Sequence, residues 1–131
     1  MVLDTSALVA MVLSEPLEAA LLEVIRGESK RMISSVSVLE GGMVLWARAG
    51  APIVAMMHGL LAELGVEVVA FDEVQARRAI QAFARFGKGM RHRAQLNFGD
   101  CAVYALAALR GEPVLATGRD FAATDIAVLP F

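Results

Sequence analysis

Met1-Val2-Leu3-Asp4-Thr5-Ser6-Ala7-Leu8-Val9 decides how the rest of the chain is read. Val2 to Asp4 reads as a strand, and Leu8, Val9, Val12 and Leu13 give the spacing of a helix directly after it. A strand that runs straight into a helix is the opening unit of a parallel α/β sheet. Asp4 then stands at the strand's carboxyl end, which is the edge where such sheets place their ligand sites. A carboxylate closing an apolar strand costs free energy unless something pairs with it.

The same alternation continues outward from this unit. Pro16 is expected to start a second helix ending near Arg26-Gly27, and Met32-Ile33-Ser34 is a brief strand. Ser37-Val38-Leu39-Glu40 matches a capping box opening a helix toward Ala49-Gly50. Pro52 and Gly65 bracket the next helix. Val66 to Phe71, rich in valine, reads as a buried parallel strand, and Asp72 caps a helix through Phe86. Gly87 to Leu96 is an irregular basic loop. Asn97 or Phe98 begins an apolar helix that Gly111 terminates, Pro113 to Ala116 is a strand, and Ala127 to Leu129 is a last short one. The fold class is α/β, a mostly parallel central sheet flanked by helices.

Composition sets the outer bounds. The 131 residues suit one domain, 1–131, able to bury a core without disulfides. Net charge is −2, which excludes a bulk basic nucleic-acid binder, and positive charge is local, at Lys88, Arg91, His92 and Arg93. One cysteine, Cys101, fits a reducing compartment, and in its apolar helix it reads as a core residue. The apolar fraction is 57% and mean hydropathy is +0.60, yet no uncharged run reaches the ~18 residues of a membrane span. Nor do the first residues read as a signal peptide, so a cytoplasmic protein is expected. The surplus apolar surface, including Met43, Trp46, Met56 and Met57, is expected in the core or in an interface with a second copy or another protein.

Four acids carry the chemistry. Asp4 and Asp120 follow apolar strands, while Glu40 and Asp100 fall in the first turns of two helix patterns. A parallel sheet would gather all four at one edge. Carboxylates so close repel one another and stay ionised only if cations neutralise them. An all-oxygen site of that kind suits Mg²⁺ or Mn²⁺ and phosphodiester hydrolysis. Taken singly, each has a structural alternative: Glu40 in a capping box, Asp100 as a helix N-terminal carboxylate, Asp120 as a turn residue or cap. Gly87-Lys88-Gly89 lacks the spacing and the following Ser or Thr of a phosphate-binding P-loop.

The stretches around these acids resemble one family. Val-Leu-Asp4-Thr-Ser-Ala, Ser-Ser-Val-Ser-Val-Leu-Glu40 and Leu-Asn-Phe-Gly-Asp100-Cys-Ala-Val-Tyr-Ala-Leu-Ala are similar to the VapC toxins, PIN-domain ribonucleases paired with VapB antitoxins. The similarity runs through Phe86-Gly-Lys-Gly and Gly111-Glu-Pro to Thr117-Gly-Arg-Asp120-Phe-Ala-Ala-Thr-Asp125-Ile. The resemblance implies a PIN-like fold and a metal-dependent endoribonuclease leaving 5′-phosphate and 3′-hydroxyl ends. It makes Asp4, Glu40, Asp100 and Asp120 the catalytic and metal-binding quartet, with Asp4 and Asp100 the direct ligands of Mg²⁺ or Mn²⁺. It gives Thr5, Ser6 and Thr117 supporting hydroxyls. Lys88, Arg91, His92 and Arg93, with Arg85 nearby, become candidate RNA contacts. A VapB-type antitoxin and a homodimer are the implied partners. Gly-Arg-Asp120 departs from the family's usual Gly-Asn-Asp or Gly-Asp-Asp, so Arg119 adds a positive charge beside the site, and Asp125 ranks behind Asp120 as a substitute fourth acid.

Other readings of these residues are a catalytically inactive PIN-type binding module and a PIN nuclease acting on another nucleic acid. A phosphatase with Asp4 as nucleophile would show Asp-x-Asp, whereas this chain has Asp4-Thr5-Ser6.

Overall fold

The computed structural model describes residues 1–131. Strand β1 (Val2–Leu3) leads into α1 (Thr5–Val12), followed by α2 (Glu18–Gly27), β2 (Met32–Ser34), α3 (Ser35–Ala49) and α4 (Ala51–Glu63). Then come β3 (Glu67–Val69), α5 (Glu73–Phe86), α6 (Phe98–Arg110), β4 (Val114–Leu115) and a 3-10 turn, Asp120–Ala123. The four strands are all parallel, in the order β3-β2-β1-β4. No helix is long and apolar enough to cross a membrane.

Register divides the core between the two faces of the sheet. Leu3, Ile33 and Leu115 are level with one another and point into one cluster, with Leu8, Leu21, Ile25, Leu45 and Met57 from α1 to α4. Their neighbours Val2, Met32 and Val114 point the other way, into Phe86, Leu96, Val103, Tyr104 and Leu106. Successive strand side chains must alternate in this way, so short strands buried on both faces are continuously apolar.

Helix starts follow local chemistry. Asp4, Ser34, Asp72 and Asn97 cap α1, α3, α5 and α6, each accepting a hydrogen bond from a backbone N–H of the first turn. Gly111 closes α6 at φ +64, a left-handed position that suits glycine.

Four local expectations are corrected. The capping box is not at Ser37–Glu40: Ser34 caps α3, so Ser37 is buried inside it and Glu40 falls in its second turn. A true box is formed by Asn97 and Asp100. Pro16 lies in the turn before α2, which begins two residues later, at Glu18. Val66 to Phe71 is not a buried strand, because β3 occupies the sheet edge and Val68 is 49% exposed. Ala127 to Leu129 reaches the sheet only through a bridge between Val128 and Val114.

Candidate active site

Backbone register sets the carboxyl ends of β1 and β4 side by side. The amide of Asp4, just past β1, donates to Leu115 O of β4 at 3.0 Å. Ser6 then ties the two strand ends together. Its hydroxyl donates to Asp4 Oδ2 at 2.5 Å and accepts from the Thr117 amide at 3.0 Å. Ser6 N also donates to Asp4 Oδ2, at 2.9 Å, so the carboxylate is held from two directions. Of the two hydroxyls beside Asp4, that of Ser6 bonds its carboxylate and the buried one of Thr5 has no partner, while Thr117 meets Ser6 through its amide.

Asp100 enters from α6. Its Oδ2 accepts from the Asn97 amide at 2.9 Å while Asn97 Oδ1 accepts from the Asp100 amide at 2.9 Å. This reciprocal pair fixes the carboxylate at the positive end of the helix. Glu40 reaches over from α3 and lies against Gly99: a Cβ on that glycine would stand 3.0 Å from Glu40 Cδ. Asp120 arrives from the 3-10 turn beyond β4.

All four carboxylates line one open cavity of about 410 Å³, together with Thr5, Ser6, Glu15, Asn97, Thr117 and Gly118. Burial and crowding act on two of them, Asp4 and Asp100. Burial pushes the Asp4 carboxyl up, against the two Ser6 hydrogen bonds, and Glu40 adds to the rise. Asp100 is pushed up to about 6, first by burial and then by the charges of Asp4, Asp120 and Glu40, with the Asn97 amide opposing. Three other acids thus act on one carboxylate, which places Asp100 within the electrostatic reach of each.

A cation would relieve that strain. No three His, Cys, Asp or Glu side chains close on one point at ligand spacing, so the cavity is not an all-protein metal cage. The donors are hard oxygens, and Asp4 and Asp100 each spend Oδ2 on local hydrogen bonds. That set fits a hydrated Mg²⁺ or Mn²⁺, which uses one or two carboxylates and keeps several waters.

Other singled-out residues lie elsewhere. Lys88, Arg91 and Arg93 are exposed on the 87–96 loop, whose ends are clamped by the Gly87–Leu96 bridge, and none lines the cavity. His92 packs edge-on against Phe86 at 5.0 Å and accepts from the Ala94 amide, a role in shaping the loop. Asp125 also lies outside the cavity lining, with its oxygens engaged by Tyr104 and Arg85. Cys101 is buried, and its thiol is pushed up to about 11 by burial and by Asp100, leaving it unreactive.

Three further residues contribute to the site, and of these the sequence marks only Asn97, as a helix start. The close contact of Gly99 with Glu40 is tertiary and is not legible in Leu96-Asn97-Phe98-Gly99-Asp100. Glu15 enters the lining from the turn after α1, and nothing in its neighbourhood signals that.

Comparison with known proteins gives this cavity a context. The family model described as PIN domain matches residues 1–127. A relative named Ribonuclease VapC, from Mycolicibacterium smegmatis, is 45% identical over 130 residues, covering 98% of this chain and 99% of its own. Among solved structures, VapC20 of Mycobacterium tuberculosis, described as a sarcin-ricin loop cleaving toxin, superposes with TM-score 0.80 at 17% identity, over 99% and 98% of the two chains. VapBC2 from Rickettsia felis, solved bound to a DNA fragment from its promoter, gives TM-score 0.75 at 12% identity, over 98% and 96%. A sheet that gathers four acids, a family match over nearly every residue and close full-length relatives agree: the chain belongs to the PIN-domain family, among its VapC ribonucleases.

Proposed function

We propose that this chain is a Mg²⁺- or Mn²⁺-dependent endoribonuclease, the toxin of a VapBC pair, hydrolysing RNA phosphodiester bonds. The observation that carries the reading is the convergence of Asp4, Glu40, Asp100 and Asp120 on one cavity, with Asp100 driven up to about 6 by its neighbours. The relatives named as ribonucleases supply the reaction class.

In this reading Asp4 and Asp100 would hold the ion, and Glu40 and Asp120 would complete the acidic set around it. When bound, the ion supplies charge neutralisation at the phosphate and makes a water more acidic. Ser6 aims Asp4 and opposes the upward push of burial on its carboxyl by donating both its hydroxyl and its amide to one oxygen. Asn97 does the same for Asp100 through its amide. Glu40, held against the first turn of α6, orients the attacking water in this reading. Attack is in line with the departing 3′-oxygen, leaving a 5′-phosphate and a 3′-hydroxyl. Lys88, Arg91 and Arg93 contact phosphates of the RNA outside the acid cavity and position the strand without reading its sequence.

Two apolar surfaces serve the partners. One lies between α3 and α4 and exposes Leu39, Met43 and Trp46. The other lies between α5 and α6 and exposes Ile80, Phe83 and Phe98. They accommodate a second copy of the chain and an apolar segment of a VapB-type antitoxin, consistent with a solved relative being a VapBC complex. The residues 1–131 act as one PIN domain in the cytoplasm.

The test is cleavage-site mapping on total RNA with purified wild type, Asp4→Asn and Asp100→Ala. Both variants are expected to lose cleavage and to lose Mn²⁺ binding by calorimetry. Wild-type cleavage by Asp4→Asn would sink the assignment, and absence of both cation binding and cleavage in the wild type would favour an inactive binding module.

A further inference from the structure

Asp120 is the one member of the acidic set whose placement depends on an irregular segment. Residues 117–126 form an arch between β4 and the bridge residue Val128. Inside the arch the hydrogen bonds are local: Ala122 N to Arg119 O, Thr124 N and Oγ1 to Phe121 O, and Ile126 N to Thr124 Oγ1. These bonds fix the shape of the arch and say nothing about where it sits. Asp120 itself is exposed, and its carboxylate takes no part in them.

Placement comes from contacts to the rest of the fold. Thr117 N is tied to Ser6 at the start, and Phe121 is buried, at 2% exposure, in the middle. At the far end Asp125 Oδ1 accepts from the phenol of Tyr104 at 2.7 Å, and its Oδ2 accepts from Arg85 Nη1 at 3.2 Å. The two bonds are unequal. The Arg85 pair is half exposed on both sides and contributes little. The Tyr104 bond is a charge-assisted O–H···O⁻ contact from a ring that is 1% exposed, wedged against Phe86. Tyr104 stands four residues after Asp100 on α6, one helical turn along the same face. The phenol therefore links the helix that carries Asp100 to the arch that carries Asp120.

We infer that Tyr104 and Asp125 are positioning residues for the hydrolytic site: their hydrogen bond latches the 117–126 arch to α6 and sets the distance between Asp120 and Asp100. Asp125 is thereby the partner of a tyrosine and not a spare acid of the cluster. The inference rests on the proposed reading of the acid cavity as the site of hydrolysis.

The experiment is a cycle of Tyr104→Phe, Asp120→Asn and their combination, with Asp125→Asn as a second probe of the same bond. Tyr104→Phe keeps the buried ring, and Asp125 lies at the surface, so both variants retain the fold. Tyr104→Phe is expected to lower kcat for RNA cleavage roughly tenfold with KM unchanged, as a small misplacement of a catalytic group would. Asp125→Asn should do the same to a similar or smaller degree. In the Asp120→Asn background Tyr104→Phe should add no further loss, because the group it positions is gone. Amide hydrogen exchange, which requires neither RNA nor metal, should quicken in Tyr104→Phe at Thr117 and Leu129, whose amides tie the two ends of the arch to Ser6 and Val114. Equal losses of kcat with and without Asp120, or no loss in either background, overturn the latch, as does unchanged exchange at those two amides. Wild-type cleavage by Asp120→Asn, with Asp4→Asn inactive, removes Asp120 from the site and the latch with it. Wild-type cleavage by Asp4→Asn refutes the underlying site instead.

Discussion

Gly99 lies at the second position of α6, in a backbone conformation open to any residue, and its missing side chain is filled by Glu40. A Cβ there would stand 3.0 Å from Glu40 Cδ and 3.1 Å from Oε1, and nearer still to Oε2. Ordinary contacts of a carbon atom begin at about 3.5 Å, and Oε2, the nearest atom, sets the shift, so Gly99→Ala must drive the Glu40 carboxylate away by roughly 1 Å. The obstructing atoms are the far end of a flexible side chain, so the fold yields cheaply. Alanine should even stabilise the helix start, by about 0.4–1 kcal/mol, through the lower freedom of the unfolded chain. The cost falls on the site: a shift of that size in a catalytic group lowers kcat roughly tenfold to a hundredfold. Thermal unfolding and RNA-cleavage kinetics on the same preparation read both quantities. Unchanged kcat in a folded Gly99→Ala protein would refute the placement of Glu40 in the hydrolytic machinery, and a large fall in Tm would refute the claim that only a side-chain tip stands in the way.

Three further outcomes follow from the same structure. Because burial and neighbouring acids raise Asp100 from an ordinary 3.8 to about 6, and raise Asp4 as well, the folded chain binds more protons than the unfolded one between these values. Stability from these groups is therefore present below pH ~4 and is lost as pH rises toward ~6. Without divalent metal, Asp100→Asn should gain Tm relative to the wild type across that window, and Mn²⁺ should raise wild-type Tm more at pH 7.5 than at pH 5; a difference independent of pH contradicts the crowding of the four acids. Gly87→Ala meets a different obstacle, the backbone carbonyl and ring of Phe83, and should destabilise the protein by about 1–3 kcal/mol, measurable by urea unfolding. Trp46, the sole tryptophan and 60% exposed, should shift its emission to shorter wavelength when the antitoxin or a second copy covers the α3–α4 surface; Trp46→Glu should weaken that association while leaving RNA cleavage intact.

What was legible in the sequence was what is decided locally. Asp72 caps α5, Gly111 ends α6 and Asn97 opens it, because each follows from the hydrogen-bonding needs of a helix end. Strand–helix alternation gave the parallel sheet for the same reason, since β1, β2 and β4 are buried by the helices beside them. What could not be read was position within the sheet. Val66 to Phe71 has the composition of a central strand, yet β3 is an edge strand, because strand order is fixed by how distant segments pair. Ser37-x-x-Glu40 has the letters of a capping box, but Ser34, three residues earlier, takes the cap, and so Glu40 is carried round the helix toward α6.

That displacement also changes how the acids themselves are understood. Read one at a time, a carboxylate at a helix start is explained once it caps the helix, and a metal role is superfluous. In the folded chain the two roles do not compete. Asp4 caps α1 and Asp100 completes the box of α6, and in both residues the capping bonds use Oδ2. A carboxylate has two oxygens and about four acceptor sites, so the cap fixes its direction and leaves its other oxygen available. Capping thus supplies the preorganisation that an acidic site needs, at helix ends whose dipoles soften the repulsion between the charges. Glu40 and Asp120 are the exceptions: neither caps a helix, and Glu40 owes its place to the missing side chain of Gly99. A test of that division is direct. Replacing Asn97 with alanine should remove the side-chain cap while sparing the bond from its amide to Asp100, lowering stability by about 1 kcal/mol with a modest loss of kcat. Gly99→Ala should do the reverse, and two variants with the same ratio of lost stability to lost rate would show that cap and contact are not separate devices.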